Sequence, residues 1–416
     1  VKVTMIAGKN WAGNYTYGAK NLHQPESTEE LQEIVSASSS VKALGSRHSF
    51  NDIADTQTDL VSMRKLNQVV ELDPVQRTVR VQGGITYGEL CPVLEAAGFA
   101  LPNLASLPHI SVAGAVATAT HGSGELNGNL ATSVVGLQMV RADSSLGELT
   151  ERDPEFAASV VGLGALGLVT ELKLRIVPTF RVRQFVYEEL PLAAVSEHFD
   201  AIQASAYSVS LFTDWRTEFI NQAWLKMTDL ESTPSESLFG GKPADDHRHP
   251  IRGVSAENCT EQMGVSGPWN QRLAHFKLEF TPSNGEELQS EYFVPRSQVG
   301  PALAAVASLR DSIAPLLYIS EIRTVAQDSL WLSPAYGQDV VGFHFTWQPR
   351  EAEVRAFLPT LEAALAPFSP RPHWGKLFEA NPAGRYPRIT DFRALAQRHD
   401  PTGKFRNEYL DRTIFA

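Results

Sequence analysis

The chain has 416 residues, with 36 Lys or Arg against 47 Asp or Glu, a formal charge of −11. Its 43% hydrophobic and 20% charged residues describe a globular chain of roughly two to three domains, not a disordered or collagen-like one. An acidic chain without a Lys/Arg cluster lacks the electrostatic footprint of nucleic-acid binding, and no apolar run reaches the roughly 18 residues of a spanning helix.

Residues 1–7 show no basic leader, long apolar stretch or small-residue cleavage pattern, so a cytoplasmic protein without membrane contact is expected. Cys91 and Cys259 stand outside any CxxC or Cys/His spacing and read as ordinary thiols. Ser27-Thr28-Glu29-Glu30 before Leu31, Ile34 and Val35 is a capping box that predicts a helix over 28–38. A short strand over 41–44 then runs into Gly45-Ser46-Arg47-His48-Ser49. Asp73-Pro74 separates two strand-like runs, 69–72 and 78–81, and Thr86-Tyr87-Gly88-Glu89 opens a second helix that Gly98 closes. Short strands and helices mix without regular βαβ alternation up to Pro178, an α+β pattern with a domain edge there. Longer strands follow, with a helix over 302–311. A turn-rich stretch, 228–268, is too long for a structureless loop and is expected to be a lid, a cap or a mobile segment.

Gly162-Leu163-Gly164-Ala165-Leu166-Gly167 matches GxGxxG, but helix-like residues 154–161 precede it and strand-like residues 168–174 follow. A dinucleotide fingerprint needs the reverse order, so these glycines read as a tight helix-to-strand passage. Two other loops suit an anionic cofactor better: residues 45–49, and Thr118-Ala119-Thr120-His121-Gly122-Ser123-Gly124 after the small-residue run 111–117. Small side chains there let successive backbone N–H groups approach a diphosphate. Either loop alone also fits a plain turn; two within one region favour a binding role.

His247 and His249 read as part of a solvated charged loop, whereas Glu321, His344 and His373 are a candidate two-His, one-carboxylate iron set. On a strand, Glu321 and Arg323 share one face, as do His344 and Thr346, opposite Phe343, Phe345 and Trp347. Such faces suit a polyhydroxylated ligand, and equally a solvent-facing strand. Lys376 follows His373-Trp374-Gly375. Placed near Arg323, its ammonium would be repelled and its pKa lowered until the amine accepts a proton, with Glu321 opposing.

Taken together, these residues resemble the vanillyl-alcohol oxidase type of flavoprotein and, within it, the bacterial alditol oxidases. The similarity rests on the 45–49 loop, on Leu107-Pro108-His109-Ile110-Ser111-Val112-Ala113-Gly114 leading to His121-Gly122-Ser123-Gly124, and on the glycines 162–167. Glu321-Ile322-Arg323, His373-Trp374-Gly375-Lys376 and Asp400-Pro401-Thr402-Gly403-Lys404-Phe405 complete the set. The resemblance implies a two-domain α+β fold of the PCMH type, with an FAD-binding domain over 1–178, a substrate or cap domain on a mixed sheet over 179–380, and a returning segment over 381–416. It implies FAD held by Gly45, Ser46, Arg47, His48, Ser49, Ser106, Ser111, Gly114, Thr118, Thr120, His121, Gly122 and Val169, with a covalent bond from His48 to the flavin 8α-methyl group. It further implies that Ser106, Glu321, Arg323, His344, Thr346 and Lys376 contact a polyol, with Lys376 and Arg323 at the reacting hydroxyl, and no metal. The family chemistry is oxidation of the C1 hydroxyl of alditols such as xylitol and sorbitol, with O2 reduced to H2O2. A monomer is compatible with this reading. The rival is a sugar-lactone oxidase or dehydrogenase, similar at the same loops; a non-catalytic sugar-binding protein is the reading outside enzymes.

Overall fold

The computed structural model describes residues 8–231, 234–279 and 286–416. The leader reading at residues 1–7 lies outside them. The Ser27 side chain accepts from the Glu30 backbone, so the first helix runs Thr28–Ala37 and buries Leu31, Ile34 and Val35. It stands beside a parallel three-stranded sheet in which Asp59–Ser62 lies between Asn21–His23 and Val41–Leu44. Both halves of the second capping box form: Thr86 takes the Glu89 N–H and Glu89 reaches back, opening Tyr87–Ala96, and Gly98 turns the chain at φ +79°.

A five-stranded antiparallel sheet follows, ordered Val69–Asp73, Thr78–Gln82, Leu168–Arg175, Val134–Val140, Leu146–Thr150. The glycines 162–167 join Phe156–Val160 to Leu168–Arg175, in the helix-to-strand order read from sequence.

The second large sheet has nine strands among the described residues. Its centre is Ser208–Thr213, Leu317–Val325, Val340–Trp347 and Leu288–Pro295, side by side. A mixed sheet was expected, yet every described pairing in it is antiparallel. The physical reason is strand insertion: helices join Arg181–Pro191 to Ser208–Thr213 and Leu288–Pro295 to Leu317–Val325, but a returning strand, Phe219–Thr228 or Val340–Trp347, lies between the two and runs the other way. One face packs on helices Leu192–Gln203, Val299–Ala307 and Glu351–Leu365, enclosing Ile322, Phe343, Phe345 and Trp347. Burying each such Phe is worth roughly 1.5–3 kcal/mol, and a one-residue slip would put them on the opposite face. The aromatic row therefore fixes the register that turns the polar row the other way.

The helix expected over 302–311 is two, Val299–Ala307 and Arg310–Ile313, broken around Leu309 (φ −97°, ψ 9°). The 228–268 stretch contributes edge strands Lys242–Pro243 and Gly267–Pro268, both paired to Arg181–Pro191, so its described part is docked on the sheet. The last residues return to the five-stranded sheet: Tyr386, Phe392, Leu395, Tyr409 and Ile414 are buried in one core with Val79 and Leu172. Among the described residues no helix is long and apolar enough to cross a membrane.

Candidate active site

Strand Val41–Leu44 delivers the 45–49 loop to a cavity of about 570 Å³ between the two large sheets. Side chains are excluded at its floor: a Cβ on Gly45 would come within 2.4 Å of Ser111 Oγ, and one on Gly114 within 2.7 Å. Ser46 Oγ accepts the Ser111 N–H at 3.0 Å, locking the two small-residue loops together. Arg47 holds a left-handed backbone, φ 65°, a conformation that bulky residues adopt where surrounding structure enforces it. His48 stacks on Trp11 with ring centroids 5.2 Å apart. Burial pulls its pKa down to about 4, so the imidazole is neutral at pH 7, and its buried Nδ1 has no hydrogen-bond partner among the described residues. The Phe50 N–H donates to Gly375 O at 2.7 Å, and Asn51 Nδ2 donates to the carbonyls of Trp374 (2.9 Å) and Lys376 (2.8 Å). Those bonds bring the 373–376 turn beside His48.

The cavity wall opposite is the polar row of the nine-stranded sheet. Glu321 pairs with His344 and Ile319 with Thr346 across neighbouring strands, and Gln289 and Glu291 face Thr346 and His344 from the next strand. All are within the cavity lining, and the strands are buried, so the solvent-facing alternative is excluded. His344 Nε2 lies 3.1 Å from Gln289 Oε1 and donates to it, since that amide oxygen only accepts.

Glu291 is the electrostatic centre. Its Oε1 accepts from Arg323 Nη2 (3.0 Å) and His121 Nε2 (3.0 Å), and its Oε2 from Lys376 Nζ (2.6 Å). Burial opposes its ionisation, but Lys376, His121 and Arg323 outweigh that and hold its carboxyl well below the usual range. Glu321 is likewise held low against burial, by Arg323 and His275. Burial lowers the Lys376 pKa, Glu291 pushes it back up and Arg323 lowers it further; the net direction is downward. The expectation that Arg323 and Lys376 are neighbours is met through Glu291, which the sequence reading did not name. Arg323 also donates to Ser106 Oγ at 3.3 Å.

The structure brings Gly45, Ser46, Arg47, His48, Ser49, Ser106, Ser111, Gly114, Thr118, Thr120, His121 and Val169 to this cavity with Glu321, Arg323, His344, Thr346 and Lys376. Gly122 is the exception: it does not line the cavity but packs behind it, where a Cβ would meet Leu104 O at 2.3 Å and the Asn103 side chain at 2.5 Å. The glycine run 162–167, read as a passage only, also lines the cavity through Gly162, Gly164 and Gly167. Glu321, His344 and His373 do not assemble: among the described residues no group of three or more His, Cys, Asp or Glu is placed to hold a metal ion. Unanticipated residues include Glu291, Gln289, His275, and Ile251 and Asn258 of the docked 228–268 stretch.

An FAD binding domain family model matches residues 19–150, and a D-arabinono-1,4-lactone oxidase model matches 281–413. The chain is 49% identical over 407 residues to an alditol oxidase of Streptomyces sp., covering 96% of this chain and 97% of that protein. The chain belongs to the alditol oxidase family. It is an FAD oxidoreductase of vanillyl-alcohol oxidase type. A more distant relative is the L-gulono-1,4-lactone dehydrogenase of Mycobacterium tuberculosis, 28% identical over 427 residues, covering 97% of this chain and 98% of that protein. In fold, the chain is similar to cholesterol oxidase from B. sterolicum, with TM-score 0.79 and 14% identity over 99% of this chain and 97% of that one. The residues fit the family's flavin: Ser111 Oγ and His48 Nδ1, both on residues that line the cavity, are buried without a partner among the described residues.

Proposed function

We propose that this protein oxidises the terminal C1 hydroxyl of alditols such as xylitol and sorbitol to the aldose, with O2 as the electron acceptor. The observation that carries the reading is the buried polar row Glu321, Arg323, His344 and Thr346, set with Ser106 and Lys376 in one cavity with the flavin loops. An open-chain polyol needs a donor or acceptor for every hydroxyl it buries. The row and Lys376 together supply carboxylate, guanidinium, imidazole, hydroxyl and amine. The chemistry that bound FAD would supply is acceptance of the hydride from C1 and delivery of the electron pair to O2, giving H2O2.

In this reading residues 1–178 hold the cofactor, 179–380 form the substrate wall, and 381–416 close back on the first part. His48 carries the covalent flavin link; its neutral, buried imidazole has a ring nitrogen with a lone pair free for that bond. Acid precipitation of the wild type is expected to leave the yellow colour on the protein, and His48→Ala to release it to the supernatant. Flavin retained by the acid-treated variant contradicts the assignment. Arg323 stabilises negative charge on the reacting oxygen, Lys376 takes its proton, and Glu321, His344 and Thr346 bind the remaining hydroxyls.

Each buried partner left unpaired costs roughly 1–3 kcal/mol, so kcat/KM for glycerol should fall about tenfold or more below that for xylitol. Steady-state comparison of xylitol, sorbitol, glycerol and a sugar lactone tests the function. The match to the lactone oxidase family model over 281–413 favours the rival at the substrate wall; faster turnover of the lactone than of every alditol would establish it.

A further inference from the structure

Backing Glu321 is a buried pair, Lys226 and His275, that the proposed reaction does not use; His275 also lines the cavity. Lys226, on strand Phe219–Thr228, is 1% exposed. Its Nζ donates to the carbonyls of Leu273 and Ala274, the latter at 3.0 Å, and lies 3.1 Å from His275 Nδ1. The other ring nitrogen, Nε2, lies 2.8 Å from Glu321 Oε1. The partners assign the tautomer. An ionised carboxylate can only accept, so Nε2 carries a proton, and Nδ1 accepts from Lys226. The reverse tautomer would aim a lone pair at a carboxylate that stays ionised. Phe212 and Trp224 close on the ring edge-on, with centroids 5.6 and 5.3 Å away. The same loop sets a second substrate group, because the N–H groups of His275 and Phe276 both point to Ser106 O, at 3.2 and 3.4 Å.

We propose that Lys226 and His275 are positioning residues for the alditol site: Lys226 fixes the ring of His275, and His275 fixes the carboxylate of Glu321 as an acceptor for substrate hydroxyls. This rests on the reading of Glu321 as a polyol contact. The Oε1 bond to His275 competes with Arg323, whose Nε stands 3.5 Å from Oε2. Freed of His275, the carboxylate would turn wholly onto the guanidinium and stop accepting from the polyol. The loss falls on binding, since the proton acceptor and the guanidinium donor at C1 remain in place.

The experiment is steady-state oxidation of xylitol by flavin-loaded, full-length His275→Phe, His275→Gln and Lys226→Met, with flavin absorbance and thermal unfolding as controls. His275→Phe should raise KM at least about tenfold while kcat changes by a smaller factor. His275→Gln, whose amide nitrogen reaches about as far as Nε2, should recover most of the loss, and Lys226→Met should raise KM more modestly. An unchanged KM in His275→Phe, a fall in kcat alone, or a Gln variant as impaired as the Phe variant overturns the proposal. If His275→Phe does not fold, Lys226→Met decides: its KM either rises or the proposal fails. A wild type whose flavin no alditol reduces removes the functional reading and this inference with it, whereas an active wild type with unmoved variants removes the inference alone.

Discussion

Replacing Lys376 with Met is expected to slow anaerobic reduction of the flavin by saturating xylitol at least about a hundredfold, the usual worth of the general base proposed for it. The amine lies 2.6 Å from Glu291 and shares that carboxylate with Arg323. Taking the hydroxyl proton as C1 is oxidised avoids forming a protonated aldehyde, and Arg323, which is always charged, cannot take it. Burial lowers the Lys376 pKa, as does Arg323. A base works only when deprotonated, so the wild-type rate is low below that pKa and climbs to a plateau above it. The limb should lie at lower pH than for an ordinary lysine, and Lys376→Met should lose it. The flavin spectrum and the proposed covalent link should survive. Reduction within a few-fold of wild type would make Lys376 a positioning group and pass the role of base to His344. Stopped-flow absorbance measures this apart from reoxidation.

Glu291→Gln is expected to be the most destabilising change at the site. Breaking a buried ion pair from one side costs about 3–5 kcal/mol, because the partners stay buried without their counter-charge. Here the charged partners are Lys376 and Arg323, and His121, whose pKa burial lowers, loses its carboxylate acceptor. Denaturant unfolding of the holoenzyme should show the loss. The same change has a kinetic sign. Glu291 raises the Lys376 pKa, so its removal should move the rising limb of the reductive rate toward lower pH. An unmoved limb together with unchanged stability would show that the carboxylate does not act as this hub.

Local chemistry made much of this legible in advance. The Ser27 cap, the Thr86–Glu89 capping box and the strand before Gly45 are decided by neighbouring residues, although Glu30 takes the Glu26 N–H and leaves the first box half formed, and Glu321/Arg323 and His344/Thr346 declare their faces by period two. Glu291 carries the same period with Gln289, but Ser290 between them is polar as well, so the alternation is blurred. Ser290 points into the core, where its hydroxyl takes the Trp347 Nε1–H at 3.1 Å. His275 lies in no periodic element. It reaches the site through contacts to Lys226, Glu321 and Ser106 that only the folded chain creates. Gly122 misled in the opposite direction: smallness suits either a cofactor or a close packed neighbour, and here the neighbour is Asn103. Strand direction in the nine-stranded sheet was hidden too, because alternation reports faces and not partners.

The returning segment has a consequence for how the protein is made. Val41 N donates to Lys404 O at 2.9 Å, and Lys42 Nζ to Phe405 O at 3.2 Å. Asn407 Nδ2 serves the carbonyls of Asp52, Ile53 and Asp55. The strand that leads into the flavin loop is thus completed by residues that leave the ribosome more than three hundred positions later. Contacts so distant along the chain are slow to find, and until they form the nascent amino-terminal half exposes unfinished backbone and apolar surface. Emergence of residues 404–407 is therefore expected to complete the strand that carries the flavin loop, and the interval before it leaves the nascent chain open to aggregation and proteolysis.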